Sequence, residues 1–224
     1  MGFIDFFIVG VQKGGTTALD SYLRQSPFVQ MADVKEVHFF DNESLDWSDP
    51  AYLSFHEHFE WSQTSGIIRG EATPIYMYWP YAMERILRYN AAAKLIVCLR
   101  HPSYRAHSHW RMETMRSAET LPFEDAISEA GRRRVRYAEG GVHRVYSYVE
   151  RGFYAPQIRR LRQLFPPEQL LFLRTDDLWT RTKSTLSRVY RFLNLAPSAP
   201  AGTAYIVPVR SDGLGTISET ALLE

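Results

Sequence analysis

The stretch FFIVGVQKGGTTALDSYL, Phe6 to Leu23, sets Gly10 and Gly15 at the G-x-x-x-x-G spacing of a loop that cradles phosphate. The lysine that ordinarily follows the second glycine is replaced by Thr16, and a lysine stands instead at position 13. A buried strand, a Gly-rich turn and a helix N-terminus together aim several backbone N–H groups and a helix dipole at one point, which makes an anion site. Thr16 and Thr17 add hydroxyl donors, and Lys13 adds a mobile cation. The same glycines would also serve a plain tight turn, so the question is what else stands near them.

Triphosphate chemistry needs Mg²⁺, usually held by an aspartate at the end of a neighbouring apolar strand. Here the candidate strand LIVCL ends in Arg100 and runs on into HPSYRAHSHW. An arginine at that place repels a metal and attracts a second phosphate. Two anion pockets without a metal carboxylate would suit a nucleotide that is phosphorylated at both ends of its ribose.

The elements that must position these groups are legible from apolar runs and helical spacing. FFIVGV, KLIVCLR (Lys94 to Arg100) and QLLFLRTDDL (Gln169 to Leu178) read as buried parallel strands. TTALDSYLRQSP, PYAMERILRYN, PFEDAISEAGRRRVRYAE and YAPQIRRLRQLF read as helices between them. This alternation predicts an α/β fold, a P-loop-type parallel sheet flanked by helices on both faces, with ligands at the carboxyl ends of the strands. The arginines of SEAGRRRVR fit either a nucleic-acid patch or a solvated helix face, and their place within an amphipathic pattern favours the helix face. From Ala196 onward the chain turns rich in Pro and Gly, and SETALLE then starts a capped helix that ends with the chain. Residues 1–224 are therefore expected to form a single domain lacking some C-terminal residues.

The 224 residues suffice for one substantial core, and the composition, 45% hydrophobic and 23% charged, is that of a globular protein. Four lysines stand against twenty-two arginines, and the arginine fork binds phosphate or carboxylate through two bonds at once. Genomic composition bias would give the same excess. Cys98 is the only cysteine, which excludes a disulfide within the chain and a cysteine-built metal site. No apolar run reaches the roughly 18–20 residues of a membrane span. The opening MGFIDFFIVGV lacks a basic start and a small-residue cleavage site, so the expected location is cytoplasmic.

The motifs, taken in order, resemble those of the sulfotransferases that use 3′-phosphoadenosine 5′-phosphosulfate (PAPS), in particular the branch of heparan sulfate N- and 3-O-sulfotransferases and their bacterial relatives. VGVQKGGTTAL is similar to that family's 5′-phosphosulfate loop and CLRHPSYRAHSHW to its 3′-phosphate segment. KEVHFFD is similar to the segment carrying the branch's catalytic glutamate, and ERGFYAPQIRRLRQLFPPEQLLFLRTDDL resembles its second-half signature. The resemblance spans about residues 6–195. It implies that Gly14, Gly15, Thr16 and Thr17 bind the 5′-phosphate and that Arg100 and Ser108 bind the 3′-phosphate. Arg210, in VRSDGLG, would be the remnant of a basic loop that closes over the nucleotide. Lys13 would hold the bridging oxygen of the leaving group, and no metal would be needed.

Sulfuryl transfer asks for in-line geometry and charge stabilisation, plus a base for the acceptor proton. By resemblance Glu36 is that base. His38, two residues on, shares its side if the segment is extended. Alternatively Glu36 pairs with Lys35 or an arginine, and His38 packs among Phe39 and Phe40. Where glycosaminoglycan sulfotransferases often carry a lysine, in E-K-[ST]-x, this chain has Ala72, which counts against a heparan-like polyanionic acceptor. Tyr76, Tyr78 and Trp79 would instead form an aromatic wall for a sugar ring or apolar acceptor, or else they are core. The reading is thus a metal-independent PAPS sulfotransferase acting on a carbohydrate or other small-molecule acceptor, with no nucleic-acid partner. Its alternatives are a P-loop nucleotide kinase and a non-catalytic nucleotide-binding module.

Overall fold

A computed structural model describes residues 2–62 and 66–196, so Arg210, the Pro- and Gly-rich stretch after Ala196 and SETALLE lie outside the described residues. Strand β1 (Phe6–Gly10) is buried along its whole length because it is covered on both faces. Phe6 and Ile8 face one side, where helix α1 (Thr16–Leu23) supplies Ala18, Leu19, Tyr22 and Leu23. Phe7 and Val9 face the other, against Met83, Ile86 and Tyr89 of α3 (Ala82–Tyr89). The period of two in a strand thus splits one apolar run between two cores.

Three more strands flank β1: β2 (Val29–Met31), β3 (Ile68–Ala72) and β4 (Lys94–Leu99), and β5 (Leu170–Arg174) closes the edge. All pair in parallel, in the order β2-β3-β1-β4-β5. The short helix α2 (Leu53–His56) precedes β3. Helix α4 (Pro102–Met115) follows β4, and α5 (Phe123–Ile127) packs on it through Trp110 and Phe123. Then come α6 (Glu129–Arg136), α7 (Tyr154–Leu164), α8 (Thr175–Thr180) and α9 (Thr182–Phe192). The connections leave β1 on one side and β4 on the other, so the crevice lies between their carboxyl ends, where ligands of open parallel sheets bind.

The α/β expectation holds, with differences in detail. β2 and β3 carry no long apolar run: VQM is only three residues, and IRGEA contains Gly and Glu, both poor strand formers. The strand expected over 169–178 stops at Arg174, because Asp176 and Asp177 open α8 with carboxylates in its first turn. The helix expected through 122–139 breaks at Ser128, whose Oγ accepts from Gly131 N at 3.2 Å and caps a separate α6. On α6, Arg132, Arg134 and Arg136 each pair with a carboxylate.

Candidate active site

The turn after β1 winds tightly around its own backbone. Lys13 takes a left-handed φ of +67° and Gly15 one of +90°, the latter natural only for glycine. Gly14 approaches β4 so closely that a Cβ there would stand 2.3 Å from Cys98 O. Its N–H donates to Val11 O at 2.8 Å, so Gly14 serves the turn and has no free donor for a phosphate in this conformation. The N–H groups of Gly15, Thr16 and Thr17 have no acceptor among the described residues and stand at the N-terminus of α1. Thr16 is 3% exposed, whereas Thr17 faces solvent. Thr175, at the start of α8, fastens the turn to β4: its hydroxyl reaches Gly14 O at 2.6 Å and Leu99 O at 3.0 Å.

Arg100 sits at the end of β4 and donates to Lys13 O at 3.3 Å, with its guanidinium 5.4 Å from the Trp179 ring. Ser108 is half-buried on α4 and shares no hydrogen bond with Arg100 or Lys13. Among the described residues the Lys13 ammonium has only Met112 Sδ, at 3.8 Å, as a hydrogen-bond partner. Burial lowers its pKa, and the charges of Arg100 and Arg116 lower it further, while Glu36 and Glu113 pull the other way. A half-buried cation held among other cations is a site that gains from an anion.

Across the cleft, Lys35 to Asp41 form no regular element. Glu36 and His38 both adopt positive φ, +66° and +57°, so the segment is not extended as the alternation of side chains suggested. Their side chains nevertheless meet, with His38 Nε2 3.6 Å from Glu36 Oε2. His38 Nδ1 lies 2.9 Å from Asp41 Oδ2, and Asp41, fully buried, is also bonded by Arg144. Glu36 Oε1 accepts from Lys35 Nζ at 2.6 Å. Burial pushes the Glu36 carboxyl up, but its bonds to His38 and Lys35 outweigh this and hold it at about 2. The Asp41 bond, joined by Glu36, raises the His38 imidazole to about 9 against the opposing effect of burial. At neutral pH the pair is a carboxylate beside an imidazolium, so His38 is a proton donor and not a free base.

The segment hangs from β3 and the turn after it. Glu36 N donates to Ala72 O at 3.1 Å, Val37 N to Glu71 Oε1 at 3.3 Å and His38 N to Thr73 Oγ1 at 3.4 Å. Phe39 N and Phe40 N donate to the Tyr76 hydroxyl. Glu71 is fully buried, and burial raises its carboxyl to about 8 in spite of the bonds from Thr73 and Val37 N. Between the phosphate turn and this segment opens a cleft of about 460 Å³, lined by Gln12, Glu36, His38, Glu113, Arg116 and Arg144 among others.

The pattern of the sulfotransferase domain matches residues 3–204, most of the chain. The chain belongs to the sulfotransferase family. The chain is 30% identical over 199 residues to heparan sulfate glucosamine 3-O-sulfotransferase 5 of Homo sapiens, covering 85% of this chain and 53% of that one. To the human 3-O-sulfotransferase 6 it is 33% identical over 191 residues, covering 84% and 51%. It therefore spans about half the length of these relatives. Among solved structures, a sulfotransferase from Alicyclobacillus acidocaldarius superposes with a TM-score of 0.79 at 23% identity, over 93% of this chain and 88% of that one. A mouse sulfotransferase SULT7A1 complexed with PAP gives 0.54 at 15% identity, over 87% and 59%.

The aromatic wall considered for the acceptor is core instead. Tyr76 is fully buried, and Tyr78 and Trp79 pack on the same cluster, with their polar atoms bonded to Ser147 and Glu43. Ala72 faces the opposite core with Phe6 and Ile8. Sequence reasoning missed Asp41, Arg144, Gln12 and Glu113. Asp41 lay in the quoted KEVHFFD, three residues from His38, which is its only signal. Arg144 and Glu113 come from distant segments that carry no local mark. Among the described residues no helix is long and apolar enough to cross a membrane.

Proposed function

We propose that the chain moves a sulfuryl group from PAPS to a hydroxyl or amine of a carbohydrate or other small-molecule acceptor. The observation that carries this reading is Lys13: a half-buried ammonium with no bonded carboxylate among the described residues, with the charges of Arg100 and Glu36 both near enough to act on it. The residues fit the nucleotide. Unbonded N–H groups of Gly15, Thr16 and Thr17 suit its 5′-phosphate, and Arg100, with Ser108 by family resemblance, suits its 3′-phosphate. The bound nucleotide would supply an activated sulfuryl group with a good leaving group. Lys13 would steady the charge that grows on the leaving oxygen.

Glu36 takes the acceptor proton in this scheme. It is ionised above about pH 2, so it is always open to a proton, but its two cationic neighbours make it a weak base. Its basicity rises when a bound acceptor displaces Lys35 or His38. Arg116 and Arg144 line the same cleft, where Glu113 and Asp41 already pair with them. The test of the nucleotide is calorimetry in the presence of a chelator. The product nucleotide 3′-phosphoadenosine 5′-phosphate (PAP) should bind far more tightly than ATP. Equal or tighter binding of ATP with Mg²⁺ restored would replace this reading with the kinase.

A further inference from the structure

Arg151 presents an unusual arrangement. It is 2% exposed, and no carboxylate bonds to it among the described residues. Its guanidinium donates instead to Arg144 O at 2.7 Å, to His143 O at 3.4 Å and to the side-chain oxygen of Gln12. The Tyr78 ring lies 5.3 Å from it. Burying an arginine on neutral acceptors is costly, and a fold that tolerates it orients those acceptors firmly.

That bond settles which way the Gln12 amide points. Arginine carries donors only, so the atom facing it must be the amide oxygen. The amide nitrogen is therefore turned away from Arg151, and it has no hydrogen-bond partner among the described residues. Gln12 directly precedes Lys13 and lines the cleft that also holds Glu36 and His38. A neutral amide polarised by a buried guanidinium thus keeps its N–H₂ unbonded among the described residues, on the neighbour of Lys13 and in the cleft that Glu36 also lines. Resting on the sulfotransferase reading above, we infer that Gln12 is a further catalytic residue, donating its amide N–H to an oxygen of the sulfuryl group in transfer. Arg151 is its positioning residue. Such a donor, fixed before the reaction and aimed where negative charge is shared, stabilises transfer without reorganising.

The inference distinguishes two nucleotides that differ only in the sulfuryl group. Calorimetry without acceptor should show Gln12→Met binding PAP as the wild type does, and PAPS roughly ten- to a hundredfold more weakly, the worth of one hydrogen bond to a charged group. Gln12→Glu keeps an oxygen for Arg151 but replaces the donor with a second negative charge, so its loss for PAPS should be larger, again with PAP spared. In the wild type, the Gln12 side-chain amide resonances should shift on adding PAPS and stay in place with PAP. If both variants keep the wild-type ratio of PAPS to PAP affinity, Gln12 does not touch the sulfuryl group and the inference fails while the enzyme reading stands. If the wild type binds neither nucleotide, both fall together.

Discussion

The two walls of the cleft are built by opposite means. The phosphate turn is held by backbone: Gly14 against Cys98, Val11 and Thr175, with left-handed residues where the chain must reverse. The acceptor wall is held by titratable side chains. Lys35 to Asp41 has no ladder of its own, and its shape rests on Glu71, the His38–Asp41–Arg144 chain and the Tyr76 hydroxyl. Backbone geometry does not respond to pH or to a substrate's charge, whereas a network of ionised groups does. The wall proposed for the nucleotide is thus a fixed cradle, and the wall proposed for the acceptor is adjustable electrostatics over a fixed core.

This contrast breaks most sharply at Glu36. Glu36→Gln keeps the shape and removes the proposed base, so kcat should fall by about 10²–10⁴, the usual contribution of a general base. Nucleotide affinity should stay nearly unchanged. Sulfate transfer to the best acceptor and calorimetry with PAP measure the two quantities. Retention of more than about a tenth of wild-type kcat would move the proton to another group. Asp41 is excluded as that group by its burial and its two bonds, while His38, charged at neutral pH, would have to lose a proton first.

Arg100→Ala should do the converse. Losing a charge-assisted contact costs about 1.5–3 kcal/mol, roughly ten- to a hundredfold in PAP affinity. The loss should nearly vanish for adenosine 5′-phosphate, which lacks the 3′ group. Equal losses for both nucleotides would mean that Arg100 acts through its bond to Lys13 O, as a strut of the turn.

The same contrast explains what the sequence disclosed. The cradle was legible because its requirements are local: Gly14, Gly15, Lys13 and Thr16 lie within one turn, and β1 and β4 are apolar runs. The acceptor wall was half legible. Glu36 and His38 stood out by resemblance, but their positive φ values, which depend on bonds to a strand thirty-odd residues away, left no local sign. β3 itself was missed because Glu71 and Gly70 spoil its pattern, and Glu71 is buried for the sake of the loop above it. Gln12 was read past because its meaning depends on Arg151, 139 residues on.

The finest test of an acceptor wall built from titrating groups is the pH dependence of stability. Glu71 has a folded pKa of about 8 against 4.5 in an exposed state, because burial disfavours its charge. The folded protein therefore holds a proton there that the unfolded chain releases above about pH 4.5. The stability linked to that proton is complete below about pH 4.5 and is lost as pH rises through about 8. His38, raised to about 9, drains stability in the same direction, but it is present in wild type and variant alike. Glu71→Gln removes the proton while keeping an acceptor for Val37 N. Its stability relative to wild type, from urea unfolding, should thus rise between about pH 5 and pH 8 by up to ~1.4 kcal/mol per pH unit, then level off. PAP affinity should not change across that range. Parallel stability curves would show that Glu71 ionises freely in the folded protein, and that the wall stands on packing alone.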